Sequence, residues 1–499
     1  WWRYQEQSMP GGGRLMINLG TGNLLLQDDD MSVPHKGIAL AFRRTYNSQS
    51  TAVVNGTNAA WRSLYGNGWT NTFDAHLVTA SGYTSVYDID GARYDYVPND
   101  ANNPALGFSS ATPGQHAVLA WDHACGMTWT KKSGTVYYFF DVQDFGACPA
   151  LVSGPMGGYA GRLHQIIGRN ANTNLTFAYS WDGGNASPSG KINTITATTE
   201  SGLSATLSFG DVNGRRLLQQ LTFPDSATSV SYGYDANGNL TTVTKPSNNA
   251  AGTKPQEWYG YDALGADFVM TWLASPRWVV QCNVDNCGGD GAYWGLAYAG
   301  SELATSSVSS VQHFAVVNPN INDGIGYGPP QSGFPTYAYS YLTEYYTTGV
   351  SSPTFRDTDG HMTNWVMDGS GRPTQTQECT TSASQGQQCT GTWLLLNETW
   401  DADNNLASTV DARGFQTDFG YDANGNTVAV GEPQTATSAG TFRPTKLYDY
   451  DGFNNVVAYC DETQTHAAHV VWSASLSGSD SLCASNAGAN GHWRATFDY

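Results

Sequence analysis

Charge is what this sequence has least of. Only 13% of its 499 residues are charged, against roughly 25% in an ordinary soluble chain. Basic residues are the scarcer kind, 23 Lys+Arg against 42 Asp+Glu, for a formal net charge of −19. A phosphate-binding surface is built from Lys and Arg, so nucleic acid is excluded as a partner, and an anionic membrane surface with it. No run of ~20 apolar residues occurs, so no membrane-spanning helix is expected. No convincing long amphipathic helix can be found either. Catalytic signatures are missing: there is no G-x-S-x-G elbow, no H-E-x-x-H and no phosphate-binding G-x-x-x-x-G-K-[ST]. The expectation is therefore no enzyme, no catalytic residue and no cofactor. No C-x-x-C occurs, and Cys282 and Cys287 have no flanking His, so no metal site is expected there. His466 and His469 fall on opposite faces of a strand. Asp28-Asp29-Asp30 and the acidic turns starting at Asp235 and Asp422 are oxygen-rich in the manner of calcium loops, but neither turn has the distal Glu of an EF-type loop, and the turn reading is preferred.

What the sequence does have is aromatic side chains and glycine. Aromatics are 12%, with 16 Trp and 28 Tyr, and Gly numbers 56. Short runs such as Val136-Tyr137-Tyr138-Phe139-Phe140 and Ser229-Val230-Ser231-Tyr232 alternate or cluster β-branched and aromatic residues between Gly, Asn and Asp. That is the pattern of strands broken by turns. The fold class is all-β, with no substantial helix.

The eight cysteines fall into local pairs: Cys125 with Cys148, Cys282 with Cys287, Cys379 with Cys389, and Cys460 with Cys483. Close even pairing suits short-loop disulfides and an oxidising compartment. Sequential pairing is one of many connectivities, and free thiols are the alternative. Secretion or cell-surface exposure follows from the disulfide reading. N-x-S/T sequons at Asn55, Asn174, Asn185, Asn239 and Asn397 are possible glycosylation sites where the source glycosylates.

Internal repeats carry most of the information. Tyr234-Asp235-Ala236-Asn237-Gly238-Asn239-Leu240 recurs as Tyr421-Asp422-Ala423-Asn424-Gly425-Asn426-Thr427. Looser copies begin at Tyr261-Asp262, ending in Gly265, at Trp400-Asp401 and at Tyr450-Asp451. Weaker ones begin at Phe209 and Phe355. In each unit the aromatic ends a strand, Asp bonds forward to backbone N–H groups, and Asn-Gly supplies the positive φ of a tight hairpin turn. Each unit is then a hairpin, and successive hairpins make one long antiparallel sheet.

This pattern resembles the Rhs/YD-repeat family. The head of the chain resembles it too: Asn18-Leu19-Gly20-Thr21-Gly22-Asn23-Leu24, then Leu40 to Ser48, then Tyr65-Gly66-Asn67-Gly68-Trp69-Thr70. The resemblance covers most of 14–265 and 355–499. It implies a β-hairpin spiral or β-shell, a partial cocoon or open barrel. The segments read as a head over 1–130, repeat sheet over 131–265, an aromatic-rich insertion or degenerate repeats over 266–354, and repeat sheet over 355–499. The closing Phe497-Asp498-Tyr499 looks like a truncated unit, so the sheet is expected to continue and the chain to be a piece of something longer. Trp272, Trp278 and Trp294 lie in the third segment, either as core or as a glycan-binding surface.

In toxin-bearing members of the family the repeats enclose a C-terminal toxin released at an Asp-Pro-x-Gly site. This chain has no Asp-Pro dipeptide. The leading expectation is an extracellular structural scaffold that self-associates into a filament, tube or surface assembly. The alternatives are the N-terminal part of a toxin-encapsulating shell, with an encapsulated C-terminal toxin as partner, and a carbohydrate-binding or adhesive module with a surface glycan.

Overall fold

The computed structural model describes residues 4–9, 13–35, 38–49, 64–80, 83–100, 106–111, 114–122, 126–140, 161–169, 173–182, 191–247, 254–264, 267–274, 282–283, 286–287, 293–299, 307–316, 339–347, 352–357, 359–382, 388–437, 440–452, 454–462 and 492–496. Among the described residues every extended element is a strand. Short connections and alternating side chains make this the natural outcome, because consecutive strands joined by tight turns pair antiparallel.

Three sheets organise the chain. The head sheet is five-stranded and runs in chain order through Tyr4–Ser8, Arg14–Asn18, Leu24–Val33, Leu40–Asn47 and Trp69–Asn71. A four-stranded sheet follows over His76–Ala80, Tyr83–Tyr87, Arg93–Pro98 and Phe108–Ser110. The long sheet is 25-stranded, from Val118–Asp122 to His492–Thr496, and its strands stand in the order of the sequence. Two small hairpins, Cys282–Asn283 with Asn286–Cys287 and Thr435–Thr437 with Gly440–Phe442, stand outside it.

The long sheet starts at Val118, inside the segment read from sequence as the head. Within 266–354, the strands Asp267–Ala274, Tyr293–Ala299, Ser307–Val316 and Tyr339–Thr347 occupy consecutive places in it. These described strands continue the long sheet. Trp272 is half-buried and pairs directly with Gly260. A Cβ at Gly260 would lie 1.8 Å from the Trp272 Nε1, so the indole packs in the space the glycine leaves. Trp278 and the side chain of Trp294 lie outside the described residues.

The head sheet lies on the first half of the long sheet, and aromatic rings fill the seam. Trp69 meets Tyr259 at 5.1 Å between centroids, Tyr46 meets Tyr261 at 6.2 Å, Tyr65 meets Phe209 at 5.9 Å and Phe73 meets Phe177 at 5.4 Å. Trp69 Nε1 donates to the Tyr261 hydroxyl at 2.8 Å, and the Met270 N–H donates to the Tyr46 hydroxyl at 2.9 Å. Large rings with satisfied polar tips suit such a seam. The second half has less cover: Leu394, Leu395 and Phe415 are exposed.

Strand twist has a fixed hand, and the long sheet curls back on itself. Lys132 Nζ donates to the Gly425 carbonyl at 2.7 Å. Asn454 Nδ2 donates to the Lys132 carbonyl, and Arg169 to Asn455 Oδ1. Among the described residues the first and last strands of the sheet do not pair with each other, so the described strands form an open sheet.

The structure adds the loop type to the turn reading. In the regular repeats Gly238 and Gly425 have positive φ (81° and 69°), while Asn237 and Asn424 do not. The Gly238 N–H bonds the Asp235 carbonyl at 3.1 Å and the Asp235 N–H bonds the Asn239 carbonyl at 3.0 Å. This is a three-residue hairpin loop with a glycine bulge, not a two-residue Asn-Gly turn. The two-residue turn occurs in the weak copy: Asn213 and Gly214 both have positive φ (48° and 80°) between the paired Val212 and Arg215.

Candidate functional site: a charged joint between head and long sheet

The repeat turns share one geometry. Asp422 Oδ1 accepts the N–H groups of Asn424 and Asn426 at 2.9 and 2.7 Å, and Asn426 Nδ2 donates to its Oδ2 at 2.7 Å. Asp235 and Asp401 do the same with Asn239 and Asn405. Asp451 binds Asn455 through both its N–H and its amide, at 2.9 and 2.6 Å. Every carboxylate oxygen of these turns is thus used inside its own loop. Tyr234, Tyr421 and Tyr450 close the strands ahead of them.

The Tyr261 copy departs from this. Asp262 stays in the ladder opposite Val269, and the sequence carries Ala266 where the other units carry an Asn. Gly265 lies outside the described residues. The same turn occurs at two places that the repeat reading passed over, Asp368 to Arg372 and Asp411 to Phe415. Their Asp-x-x-Gly spacing, with Gly371 and Gly414 at positive φ, was the available signal; neither is preceded by an aromatic residue.

The head docks on one of these turns. Asn67 Nδ2 donates to Asn239 Oδ1 at 2.8 Å, and its N–H bonds the Gly238 carbonyl at 3.1 Å. Arg215 Nη1 donates to Asn67 Oδ1 and to the Asn237 carbonyl, both at 2.8 Å.

Further along the seam lies a buried ionic cluster. The register of Leu24–Val33 on Leu40–Asn47 sets Asp28 opposite Arg44, and a bulge at Asp29/Met31 turns Asp30 to the same side. Arg44 Nε donates to Asp30 Oδ2 at 2.5 Å, and its Nη2 to Asp30 Oδ1 at 2.9 Å. The same Nη2 reaches Asp28 at 3.3 Å and Glu257 at 2.6 Å, and Nη1 donates to the Tyr259 hydroxyl at 3.0 Å. Lys245 Nζ lies 3.0 Å from Asp28 and 2.6 Å from Glu257. Tyr232 and Tyr259 donate their hydroxyls to Asp30 (2.7 Å) and Glu257 (2.8 Å). The guanidinium also stacks over Trp69, 5.2 Å from its centroid.

The electrostatics follow from burial. Three carboxyls face two cations. Burial, then the neighbouring Glu257, pushes Asp28 up to about 8. Burial works to raise Glu257 as well, but Arg44 and Lys245 hold it well below the ordinary range. Burial works against the charge of Lys245 too, and the carboxylates of Glu257, Asp28 and Asp30 outweigh it and hold the ammonium above its usual range. The Asp28, Asp30 and Glu257 oxygens lie within 4.8 Å of one another, close enough for one metal ion. Two protein cations already take those oxygens, so the donor set does not fit a metal. The sequence offered Asp28, Asp29 and Asp30 as an acidic run and Arg43-Arg44 as a neighbour. Their union with Lys245 and Glu257 across more than 200 residues had no sequence signal.

The remaining sequence-derived sites are dispersed. A disulfide joins Cys379 to Cys389, with Cα atoms 5.9 Å apart. Cys282 and Cys287 face each other in their small ladder, and Cys460 is disulfide-bonded. Cys125, Cys148 and Cys483 lie outside the described residues, as do Asn55 and Asn185. Asn239 is fully buried, and its amide is engaged on both sides, which corrects its reading as a glycosylation site. Asn174 is half-buried and Asn397 exposed.

Comparison with known proteins agrees with the repeat architecture. The RHS repeat model matches residues 210–250 and 400–437. A domain of unknown function, DUF6531, matches 15–96, which spans most of the head sheet. No curated protein matches the chain. Among solved structures it is similar to a chain of the Photorhabdus luminescens Tc holotoxin pore at 12% identity, covering 88% of this chain and 22% of that one, with a TM-score of 0.32. It is also similar to a chain of the TcdB2–TccC3 complex at 12% identity, covering 88% and 23%, with a TM-score of 0.28. The chain thus spans less than a quarter of the length of either. The two stretches that match the RHS repeat lie on one continuous hairpin sheet, so the chain carries RHS repeats.

Proposed function

We propose that this chain is a non-enzymatic wall segment of an Rhs-type β-shell, secreted or surface-exposed, whose head seals one part of the sheet. The observation that carries this reading is the curl of the 25-stranded sheet, which brings the turns at Gly425 and Asn454 against Lys132. A sheet that returns on itself bounds a space without help from a second copy. This favours enclosure of a cargo, such as a toxin segment, over the open filament. The named neighbours are toxin complexes, which accords with a toxin-related role. Low charge, self-satisfied turns and a disulfide at Cys379–Cys389 suit a wall outside the cell.

Electron microscopy of the full natural gene product tests this. Discrete hollow particles with internal density are the expected result. Regular filaments with a one-subunit repeat would overturn enclosure in favour of a self-associating scaffold. Isolated particles with glycan-dependent surface binding and no lumen would overturn both.

A further inference from the structure

We propose that the head is held on the long sheet by a proton-dependent latch, in which Asp28 and Glu257 share one proton between Arg44 and Lys245. This goes beyond the wall reading and does not depend on it. The argument begins from a count. Two cations, Arg44 and Lys245, face three carboxyls, Asp28, Asp30 and Glu257, and all five side chains are buried or nearly so. An uncompensated charge in such a place is costly. One proton makes the count neutral.

Geometry says where that proton sits. Oxygens of the Asp28 and Glu257 carboxyls lie within 4.8 Å of each other, and two carboxyls that close relieve their repulsion by holding one proton between them. Both also contact Lys245 Nζ and Arg44 Nη2, so each is already engaged by cations. Asp30 is engaged differently, by the Arg44 fork and the Tyr232 hydroxyl. The other groups facing the cluster do not take the role. Asp29 turns outward to Arg43 and offers Lys245 only its carbonyl. Arg43 is half-exposed and spent on Asp29. Tyr232 and Tyr259 are held far above the ordinary phenol range by burial.

The two halves of the shared pair come from different layers. Asp28 belongs to the head strand Leu24–Val33 and Glu257 to the long-sheet strand Gln256–Leu264. Lifting the head off separates them and returns both to water, where an aspartate titrates near 3.8. The docked state therefore holds one proton more than the open state from about pH 5 to about pH 8. Docking is strongest at the acid end of that window, weakens as pH rises through it, and is indifferent to pH above about 8. One proton of linkage changes the docking equilibrium about tenfold per pH unit.

Hydrogen exchange of the full chain reads this in Leu24–Val33 and Leu40–Asn47, as an opening constant corrected for the intrinsic exchange rate. The expected result is an opening constant that rises about tenfold per pH unit between pH 5 and 8 and then levels. Asp28→Asn and Glu257→Gln each remove one carboxylate and balance the charge without a proton, so each flattens that slope. Infrared spectroscopy of the unmodified chain needs no variant: a protonated carboxyl band is expected near pH 6 and is lost above pH 8. A flat native opening constant overturns the proposal, as does the absence of that band, and so does a slope that survives both substitutions.

Discussion

Arg44 and Glu257 are 213 residues apart in the chain, and their side chains meet at 2.6 Å in the buried seam between head and long sheet. The contact joins the two layers at a point where neither side chain reaches water. Removing one member leaves its partners as buried unpaired charges, which costs about 3–5 kcal/mol. Arg44→Met is thus expected to destabilise the head by that amount in denaturant titration. A loss under about 1 kcal/mol would show that the cluster does not hold the layers together.

Asn67 is the second point of attachment, between Arg215 and the Asn239 amide. Asn67→Ala leaves both without this partner and is expected to cost about 1–3 kcal/mol. Double-mutant analysis with Arg215→Ala should show coupling, since the two side chains bond directly. Simple additivity would mean that the docking loop is held by its backbone alone.

The wall turns and the latch respond to acid in opposite senses. Burial opposes ionisation of Asp368, yet the N–H groups of Arg372 and Ser370 and the Arg372 guanidinium hold it below the ordinary range. A carboxylate lowered in the folded state supports stability above its unfolded value, and that support is lost as pH falls through the folded one. Asp411 is lowered in the same way by the N–H of Phe415 and by Arg413. Between pH 5 and pH 3, amide exchange in these turns is expected to accelerate after correction for intrinsic rates. Unchanged exchange over that range would show that these carboxylates do not support the turns.

Reduction of Cys379–Cys389 opens a ten-residue separation and is expected to lower stability by about 2–4 kcal/mol. Reductant also opens the bond at Cys460, so the thermal midpoint of a Cys379→Ser, Cys389→Ser double variant against the unmodified chain measures it, and an unchanged midpoint would show that the loop is already held by its ladder.

Expression in a glycosylating host separates the sequons by exposure. Asn397 lies on the exposed strand Trp393–Trp400 and is expected to accept a glycan. Asn239 is fully buried and hydrogen-bonded to Asp235 and Asn67, so glycopeptide mapping should find it unmodified. A glycan at Asn239 would mean that the head docks only after modification, or not at all.

The local unit was legible because its physics is local. Asp235, Gly238 and Asn239 lie within five positions of one another, and the hydrogen bonds that close their loop never leave the repeat. The tandem of such loops dictates one antiparallel sheet in chain order, since each turn pairs only the strands on either side of it. The finer turn type was not legible because Asn-Gly occurs in two loop lengths, and only strand register distinguishes Asn237-Gly238 from Asn213-Gly214. Asp262 shows the same limit, for a sequence match placed a turn where the ladder continues.

What the sequence by itself determined is therefore the strand, the turn and their order. Tertiary structure decided everything that depends on curvature: which half of the sheet the head covers, that Lys132 meets Gly425, and that Asp28, Arg44, Lys245 and Glu257 share one buried site. Small twists accumulate over many strands, and no window of sequence records their sum. Side chains hundreds of residues apart become neighbours only when that sum brings their strands to the same seam.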